Sequence, residues 1–248
     1  MTFPTEKLAR LAAELVALSA AYGILRRSGW YNFTAHEIEG LNVVILLVGE
    51  IYAVLLAFAI FVIWSQFTEV ENSVMRECDS LDDVLRFSQY LNADARAAIR
   101  RGIANYVQHV LKYEWQSLGD GRIDKQAEEF FSRFMQSVIE VKPASEAERM
   151  LYVRLLDMAQ KSSNCRDERI TKSLTRLPPT LGGLVNTIAL VLVLRVFVYP
   201  FHHWLAGLSC LVVISSVLFL ANFVMMDTDN PLVGTWNVSP KPFSELKL

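Results

Sequence analysis

One carboxylate and one guanidinium lie inside two long apolar segments of this sequence. Glu50 interrupts the apolar run at residues 41–64, and Arg195 interrupts the run at residues 181–199. An ionised group at the centre of a bilayer costs about 2.5–3.5 kcal/mol on insertion scales, so it is expected to face protein or water. Asn186 is a third polar candidate, in the same run as Arg195.

Two interpretations of these side chains stay open. By helix rise, the depths of Glu50 and Arg195 differ by about 6 Å, which a long arginine side chain can bridge. The two residues would then either line an ion path or form an ion pair that holds two helices together. Asn186 would line the same path or bridge helices through a hydrogen bond. All three are therefore candidate pore residues.

Patterns typical of enzymes and metal sites do not accompany these residues. His109 precedes Tyr113 and Glu114 by four and five residues, which is not the H-E-x-x-H spacing of a zinc site. The three cysteines, at positions 78, 165 and 210, lack the paired spacing of a disulfide framework or a zinc ribbon. A nucleophile with an adjacent base is also not visible. We therefore predict a protein that is not an enzyme, with no catalytic, cofactor-binding or metal-binding residues.

The distribution of apolar residues is more informative than their amount. The chain has 248 residues, of which 52% are hydrophobic, and its formal net charge is −2. The apolar residues are concentrated near the two ends, whereas the middle is strongly charged. Apolar blocks of this length can cross a bilayer core of about 30 Å, and the near-neutral charge offers no basis for nucleic-acid binding. We therefore predict an all-α integral membrane protein whose first partner is the lipid bilayer.

Four apolar segments are candidate transmembrane helices. They lie at about residues 8–25, 41–64, 181–199 and 204–226. The first is short and contains Glu14, so a helix lying in the interface is the alternative for it. The short connection between the last two predicts an antiparallel hairpin. The predicted parts are an N-terminal membrane part at 1–67, a helical domain at 68–179, the hairpin at 180–226 and a tail at 227–248.

The charged middle of the sequence predicts amphipathic helices that pack together, not a linker. Ser80 with Asp83 three residues later suggests one helix start, and Asn92 suggests another. Ser145 with Glu148 forms a capping box before a third helix. Each segment carries an apolar stripe at helical spacing, which needs a partner to bury it.

Basic residues near the predicted spans are unequally divided between the two sides of the membrane. One side holds only Arg26 and Arg27 in its loops. The other side holds Lys7, Arg10, Arg76, Lys161, Arg166, Arg169, Lys172 and Arg176. The positive-inside rule therefore predicts a multi-pass protein of the plasma (inner) membrane whose helical domain and C-terminus are cytoplasmic. If residues 8–25 only lie in the interface, the N-terminus moves to the other side.

Five fragments of the sequence, in this order, resemble one membrane-protein family. They are residues 49–64 (GEIYAVLLAFAIFVIW), 75–96 (MRECDSLDDVLRFSQYLNADAR), 106–115 (YVQHVLKYEW), 166–179 (RDERITKSLTRLPP) and 227–234 (DTDNPLVG), followed by Phe243. The family is the bestrophin-like membrane proteins. Leu232 departs from the family pattern, which often has phenylalanine there, and Gly182-Gly183 replaces a tryptophan.

The resemblance implies a membrane protein that assembles and, by analogy with bestrophins, conducts anions such as chloride. Four spans rarely enclose an aqueous path, so conduction of inorganic ions would require a homo-oligomer. The family-motif residues of the helical domain are Glu77, Tyr106, Glu114, Trp115, Arg166 and Arg169, and those of a tail-docking motif are Asp229, Asn230, Pro231 and Gly234. A non-conducting membrane scaffold or sensor that acts through its helical domain is the alternative function.

Overall fold

The computed structural model describes residues 5–28, 35–143 and 145–248, with side chains from residue 9 in the first range and from residue 38 in the second. All regular structure in these ranges is helical, which confirms the predicted all-α class. The elements are α1 (Thr5–Ser28), α2 (Ala35–Ser88), α3 (Ala93–His109), a π-helical turn (Val110–Glu114), α4 (Trp115–Gly119), α5 (Lys125–Ile139), α6 (Glu146–Leu174), α7 (Pro179–Val198), α8 (Trp204–Thr228) and α9 (Lys241–Ser244).

The chain divides into two compact units. The first, which we call the apolar unit, contains the described residues up to Trp64 and the segment Leu177–Asp229. The second, the charged unit, contains Ser65–Arg176 and Asn230–Leu248. The C-terminal residues are therefore part of the charged unit and not a separate tail.

Helix α2 is a single helix of 54 residues, much longer than the predicted span. The sequence between Gly49 and Ser88 contains neither proline nor glycine, the two residues that most disfavour a helix interior. The predicted helix start at Ser80 is wrong. Its hydroxyl donates a hydrogen bond to the Glu77 carbonyl oxygen at 2.7 Å within the helix, a common arrangement for serine inside a helix.

Three helices of the described chain are long and apolar enough to cross a membrane. They are α2, α8 and the segment Glu146–Val198, whose apolar part is α7. They correspond to three of the four predicted spans, which supports a membrane protein. The remaining one, residues 8–25, begins at Leu8, whose side chain lies outside the described part, so this span stays a prediction.

In the apolar unit, α7 and α8 form the predicted antiparallel hairpin. Val185 near the start of α7 packs in one cluster with Met225 near the end of α8. Phe197 near the end of α7 packs in another cluster with Leu211. Tyr22 of α1 joins this second cluster, and its ring meets the Phe197 ring edge-on at 5.8 Å. Arg10, earlier on α1, lines a crevice together with Met226 at the other end of α8, so α1 runs parallel to α7.

In the charged unit, one core joins α2, α3, α5, α6 and the C-terminal residues. Two of the predicted helix starts are confirmed by their caps. Asn92 Oδ1 accepts a hydrogen bond from the Ala95 N–H at 2.8 Å, and Ser145 Oγ accepts one from the Glu148 N–H at 3.1 Å. These caps satisfy N–H groups that the first helical turn cannot pair itself.

Candidate functional site

Five of the six family-motif residues of the charged unit meet in its interior. They come from separate elements: Glu77 from α2, Tyr106 from α3, Glu114 from the π-helical turn, and Arg166 and Arg169 from α6. All five are buried. We call this cluster the ion network.

Arg169 is the centre of the ion network. Its Nε donates to Glu77 Oε2 at 2.5 Å, and its Nη2 donates to Glu114 Oε2 at 2.7 Å. The same Nη2 donates to Tyr106 Oη at 3.2 Å, and Tyr106 Oη donates in turn to Glu77 Oε1 at 2.5 Å. One guanidinium thus bonds residues of three other elements, which fixes α6 against α2, α3 and the π-helical turn.

Arg166 extends the network towards solvent. Its Nη2 donates to Glu114 Oε1 at 3.3 Å, and its Nη1 donates to Glu128 Oε2 at 2.6 Å. The Glu128 side chain is 60% exposed, so this outer pair is screened by water whereas the inner pairs are not. The guanidinium also lies 5.3 Å from the centre of the Phe131 ring, within cation–π distance.

Glu114 is the last residue of the π-helical turn. The Trp115 N–H donates to the Val110 carbonyl, five residues earlier, instead of four as in an α-helix. Glu114 lies four residues after Val110 and seven after Val107, both buried, so it shares their inward face. The extra residue shifts the side chains that follow the turn around the helix axis. The apolar spacing of five between Val110 and Trp115 is the sequence signal of this turn.

The side chains of Glu77, Glu114 and Arg169 are 0% exposed, so their charges interact without water between them. Burial alone would lower the pKa of Arg169, but the carboxylates of Glu77 and Glu114 outweigh it and hold that pKa well above the ordinary value. Burial and the charge of Glu77 raise the pKa of Tyr106. The phenol therefore keeps its proton and donates a hydrogen bond to Glu77. The arrangement stabilises opposite charges inside the core.

Trp115, the sixth motif residue, lies at the edge of the network and faces the C-terminal segment. Its ring meets the Phe243 ring edge-on at 6.3 Å. Phe243 is fully buried, and the centre of its ring lies 5.5 Å from Arg169 Cζ. The C-terminal segment therefore covers one side of the ion network.

The predicted tail-docking residues hold the start of the C-terminal segment by polar contacts. Asp229 Oδ1 accepts from the Leu177 N–H at 2.7 Å within the apolar unit. Asn230 Nδ2 donates to the Gly119 carbonyl at 2.8 Å, within the charged unit. The Pro231 carbonyl accepts from the Val238 N–H at 2.8 Å.

Gly234 closes this turn. Its φ is 115°, a backbone conformation that side-chain-bearing residues rarely adopt, and its carbonyl accepts from Asn237 Nδ2 at 3.1 Å. Leu232, where the family pattern often has phenylalanine, is buried in the core with 6% of its surface exposed. The smaller side chain therefore still packs against the charged unit.

The polar side chains of the apolar unit are paired differently from the prediction. Arg195 Nη2 donates to Asn42 Oδ1, and an ion pair with Glu50 is not among those formed by the described residues. Asn42 precedes Glu50 by eight residues, or about 12 Å along α2, which is too far for the shared ion pair. Glu50 lies on the exposed side of α2.

Asn186 has a helix-bridging contact. Its Oδ1 accepts a hydrogen bond from Asn222 Nδ2, so it joins α7 to α8 inside the hairpin. The three candidate pore residues are therefore not brought together within one chain. Among the described residues, His, Cys, Asp and Glu also form no group of three or more with the arrangement of a metal site.

Asp124 is a residue that the sequence analysis missed. Its Oδ2 lies 2.9 Å from His109 Nε2, and its Oδ1 accepts from the Gln126 and Ala127 N–H groups at the start of α5. His109 is buried beside the Phe130 ring, with the ring centres 4.8 Å apart. Asp124 therefore caps one helix and holds the end of another. The aspartate just before the apolar stripe of α5 is the N-cap signal that could have revealed it.

We expect Asp124→Ala to destabilise the charged unit by about 1 kcal/mol at neutral pH, because a helix cap is lost. Burial acts to raise the pKa of Asp124, but the hydrogen bonds from His109, Gln126 and Ala127 outweigh it and hold that pKa below its ordinary value. A depressed carboxyl pKa contributes stability above the unfolded-state pKa, and that contribution is lost as pH falls through the folded-state pKa. Denaturation midpoints of wild type and variant should therefore converge as the pH falls below about 4. A difference that stays constant with pH would contradict this assignment.

The helical fold and its apolar helices first indicate the general class of protein. The described residues are mainly helical and include three helices that are long and apolar enough to cross a membrane, which indicates a membrane protein. A family model described as the bestrophin-like domain matches residues 32–243. The chain belongs to the bestrophin-like family, which confirms the resemblance seen in the sequence. Comparisons with curated proteins and with solved structures return no match.

Proposed function

We propose that the protein is a homo-oligomeric ion channel of the plasma (inner) membrane, selective for anions such as chloride, and not an enzyme. The observation that carries the proposal is the position of Glu50. Its carboxylate lies on the exposed side of the apolar part of α2, where contact with lipid would cost about 2.5–3.5 kcal/mol. Another subunit or an aqueous path would remove that cost.

The surface around Glu50 supports an assembly. Only 11% of the most apolar stretch of α2 is buried within one chain. Its exposed large residues include Val43, Val44, Leu46, Leu47, Ile51, Val54, Phe58 and Phe61. Copies of this chain arranged in a ring would cover part of that surface and enclose a path that one chain cannot form.

Selectivity for anions is supported by Arg195. Its partner Asn42 is uncharged, so the guanidinium keeps its positive charge instead of being neutralised by Glu50. Rings of arginine favour anions, and rings of carboxylate favour cations. The two residues are therefore expected to act on selectivity in opposite directions, with Arg195 dominant.

Currents through purified protein in planar bilayers under a salt gradient test the proposal. We expect the wild type to carry an anion-selective current. Arg195→Gln should lower the anion-to-cation permeability ratio several-fold, and Glu50→Gln should raise it. Glu39→Gln is the matched control, since Glu39 is an exposed carboxylate of α2 outside the predicted span at 41–64. A wild type without current above background, in several salts and at several pH values, would reject the channel.

We further propose that the charged unit and the C-terminus face the cytoplasm. Arg166 and Arg169 are buried in the ion network, so they no longer count as basic surface residues. The side of the charged unit still has more basic residues than the opposite side, which has Arg26 and Arg27. These basic residues are Lys7, Arg10, Arg76, Lys161, Lys172 and Arg176. The test fuses to the C-terminus a reporter enzyme that is active only on the outer side of the membrane. We expect this fusion to be inactive, and an active fusion would overturn the orientation.

A second candidate function is a non-conducting scaffold or sensor. The observation that favours it is an exposed apolar pair on α6 of the charged unit, Met150 and Val153, which are 74% and 60% exposed. A photo-crosslinker placed at Met150 in native membranes should then capture a single defined partner. Capture of only a second copy of this chain would favour the oligomeric channel instead.

A further inference from the structure

A crevice of about 610 Å³ lies in the apolar unit between α1, α7 and α8. Its walls are mainly apolar, with Leu18 from α1, Leu190 and Val193 from α7, and Leu218 and Phe219 from α8. Its volume falls in the range of about 300–1,000 Å³ that is typical of small-molecule sites. The crevice is therefore large enough for the headgroup and part of one chain of an amphiphile.

Two opposite charges interrupt this apolar wall. Arg10 and Glu14 both line the crevice. They are four residues apart on α1, hence on the same face of the helix and about 6 Å apart along its axis. A charged group in an apolar wall requires a partner of opposite charge or water. The pair therefore favours a ligand that carries both a positive and a negative group.

The charges lie at one end of the crevice. Tyr22 of α1 packs at the end of the unit where α7 ends and α8 begins. Arg10 lies 12 residues before Tyr22, about 18 Å away along α1, and thus beside the end of α8, where Met226 lines the crevice. From there the lining continues along α8 to Ser215. This division into a charged end and an apolar length matches an amphiphile.

We infer that this crevice binds one membrane lipid with a phosphoethanolamine headgroup, a site separate from the proposed ion path. The Arg10 guanidinium binds the phosphate, and the Glu14 carboxylate accepts hydrogen bonds from the primary ammonium. An anionic headgroup without an amine would be repelled by Glu14. A choline headgroup carries no N–H to donate. Both side chains are exposed, and an exposed ion pair one helical turn apart is weak, so a mutual Arg10–Glu14 pair would yield to the lipid.

Native mass spectrometry of the full chain in mild detergent tests the site with three lipids of identical acyl chains. They carry phosphoethanolamine, phosphocholine and phosphoglycerol headgroups. We expect the wild type to retain the phosphoethanolamine lipid at least several-fold better than the other two. Glu14→Gln should abolish this preference, and Arg10→Gln should weaken retention of all three. Arg27→Gln and Glu39→Gln are matched controls, since neither residue lines this crevice.

A variant that keeps both charges controls for misfolding as the cause of any lost lipid retention. Leu190 lines the crevice and is 57% exposed, so Leu190→Trp fills space without disturbing a buried contact. It should lower retention of every lipid several-fold while the melting temperature stays near that of the wild type. Competition with soluble phosphoethanolamine tests the headgroup contribution alone. We expect it to displace the bound lipid only weakly, because it has no acyl chain to occupy the crevice.

Three results would overturn the site. They are equal retention of the three lipids, an unchanged preference in Glu14→Gln, and unchanged retention in Leu190→Trp. Displacement of the lipid by soluble phosphoethanolamine at equal concentration would likewise reject the apolar walls as part of the site. Each readout is independent of ionic current, so failure of the lipid site and failure of the channel can be told apart.

Discussion

Arg169→Met is expected to destabilise the charged unit by about 3–5 kcal/mol, the usual cost of removing one partner from a buried ion pair. The variant leaves the carboxylates of Glu77 and Glu114 in the core, each without its main cation. Both side chains are 0% exposed, so water cannot replace the guanidinium without opening the core. Methionine fills much of the volume, so the loss reports charge more than packing.

Hydrogen exchange of the full chain in detergent can locate this effect. Amides of α3 and α6 should exchange much faster in Arg169→Met than in the wild type. Arg154→Met is the matched control on the same helix, because Arg154 is 64% exposed and its nearest carboxylate, Asp157, is 3.8 Å away. The control should change exchange little. Equal protection in the two variants would show that the network does not hold the charged unit together.

A second substitution separates charge from shape. Glu77→Gln in the Arg169→Met background removes one of the two stranded carboxylates, so part of the lost stability should return. Glu77→Gln alone should instead destabilise, since it strips Arg169 of a partner. If the losses in free energy of unfolding simply add in the double variant, the two side chains act independently. That result would contradict the ion pair seen between them.

The local parts of the fold could be predicted because their causes lie within a few residues. The caps at Asn92 and Ser145 depend on side chains that bond three residues ahead. The hairpin of α7 and α8 follows from two apolar blocks with a short connection. The prediction at Ser80 is wrong because serine is common both at helix starts and inside helices, and the continuous sequence around it favours the second.

The interior of the charged unit could not be worked out from residue spacing. Glu77 and Arg169 are 92 positions apart, and a pattern within one helix does not show which helices will meet. Only the resemblance of their fragments to a known family points to these residues in the sequence. Helical periodicity places Glu114 on the same face as the buried Val107 and Val110, but it does not indicate which cation that carboxylate will meet.

The Glu50 and Arg195 prediction shows a related limit. Depth along a helix brings the two side chains to similar levels, but it contains no information on helix rotation or on the register between α2 and α7. The structure places Leu192 against Gly49, at 4.0 Å from an added Cβ, and three residues later Arg195 reaches back to Asn42. A register set by packing thus decides which polar groups meet, and apolar sequences carry little information about it.

Phe243→Ala is expected to cost about 3–5 kcal/mol, the range for removing a fully buried aromatic side chain. The ring fills the space between Trp115 and Arg169, so its loss leaves a cavity directly beside the ion network. An aqueous quencher should then quench the fluorescence of Trp115, which it does not reach in the wild type. Subtracting the signal of a Trp115→Phe variant isolates the fluorescence of Trp115 from that of the other tryptophans. Glu245→Ala is the control, an exposed position of the same segment that should leave stability within about 0.5 kcal/mol.

The two buried groups should also depend on each other. If Phe243 keeps water from Arg169, its removal weakens every ion pair of the network, because charges interact less strongly once water enters. Arg169→Met should therefore cost less in the Phe243→Ala background than in the wild type, by roughly 0.5–3 kcal/mol of coupling. Strict additivity would mean that the C-terminal segment packs beside the network without protecting it. Coupling would mean that docking of residues 230–248 controls how firmly α6 is held to α2 and α3.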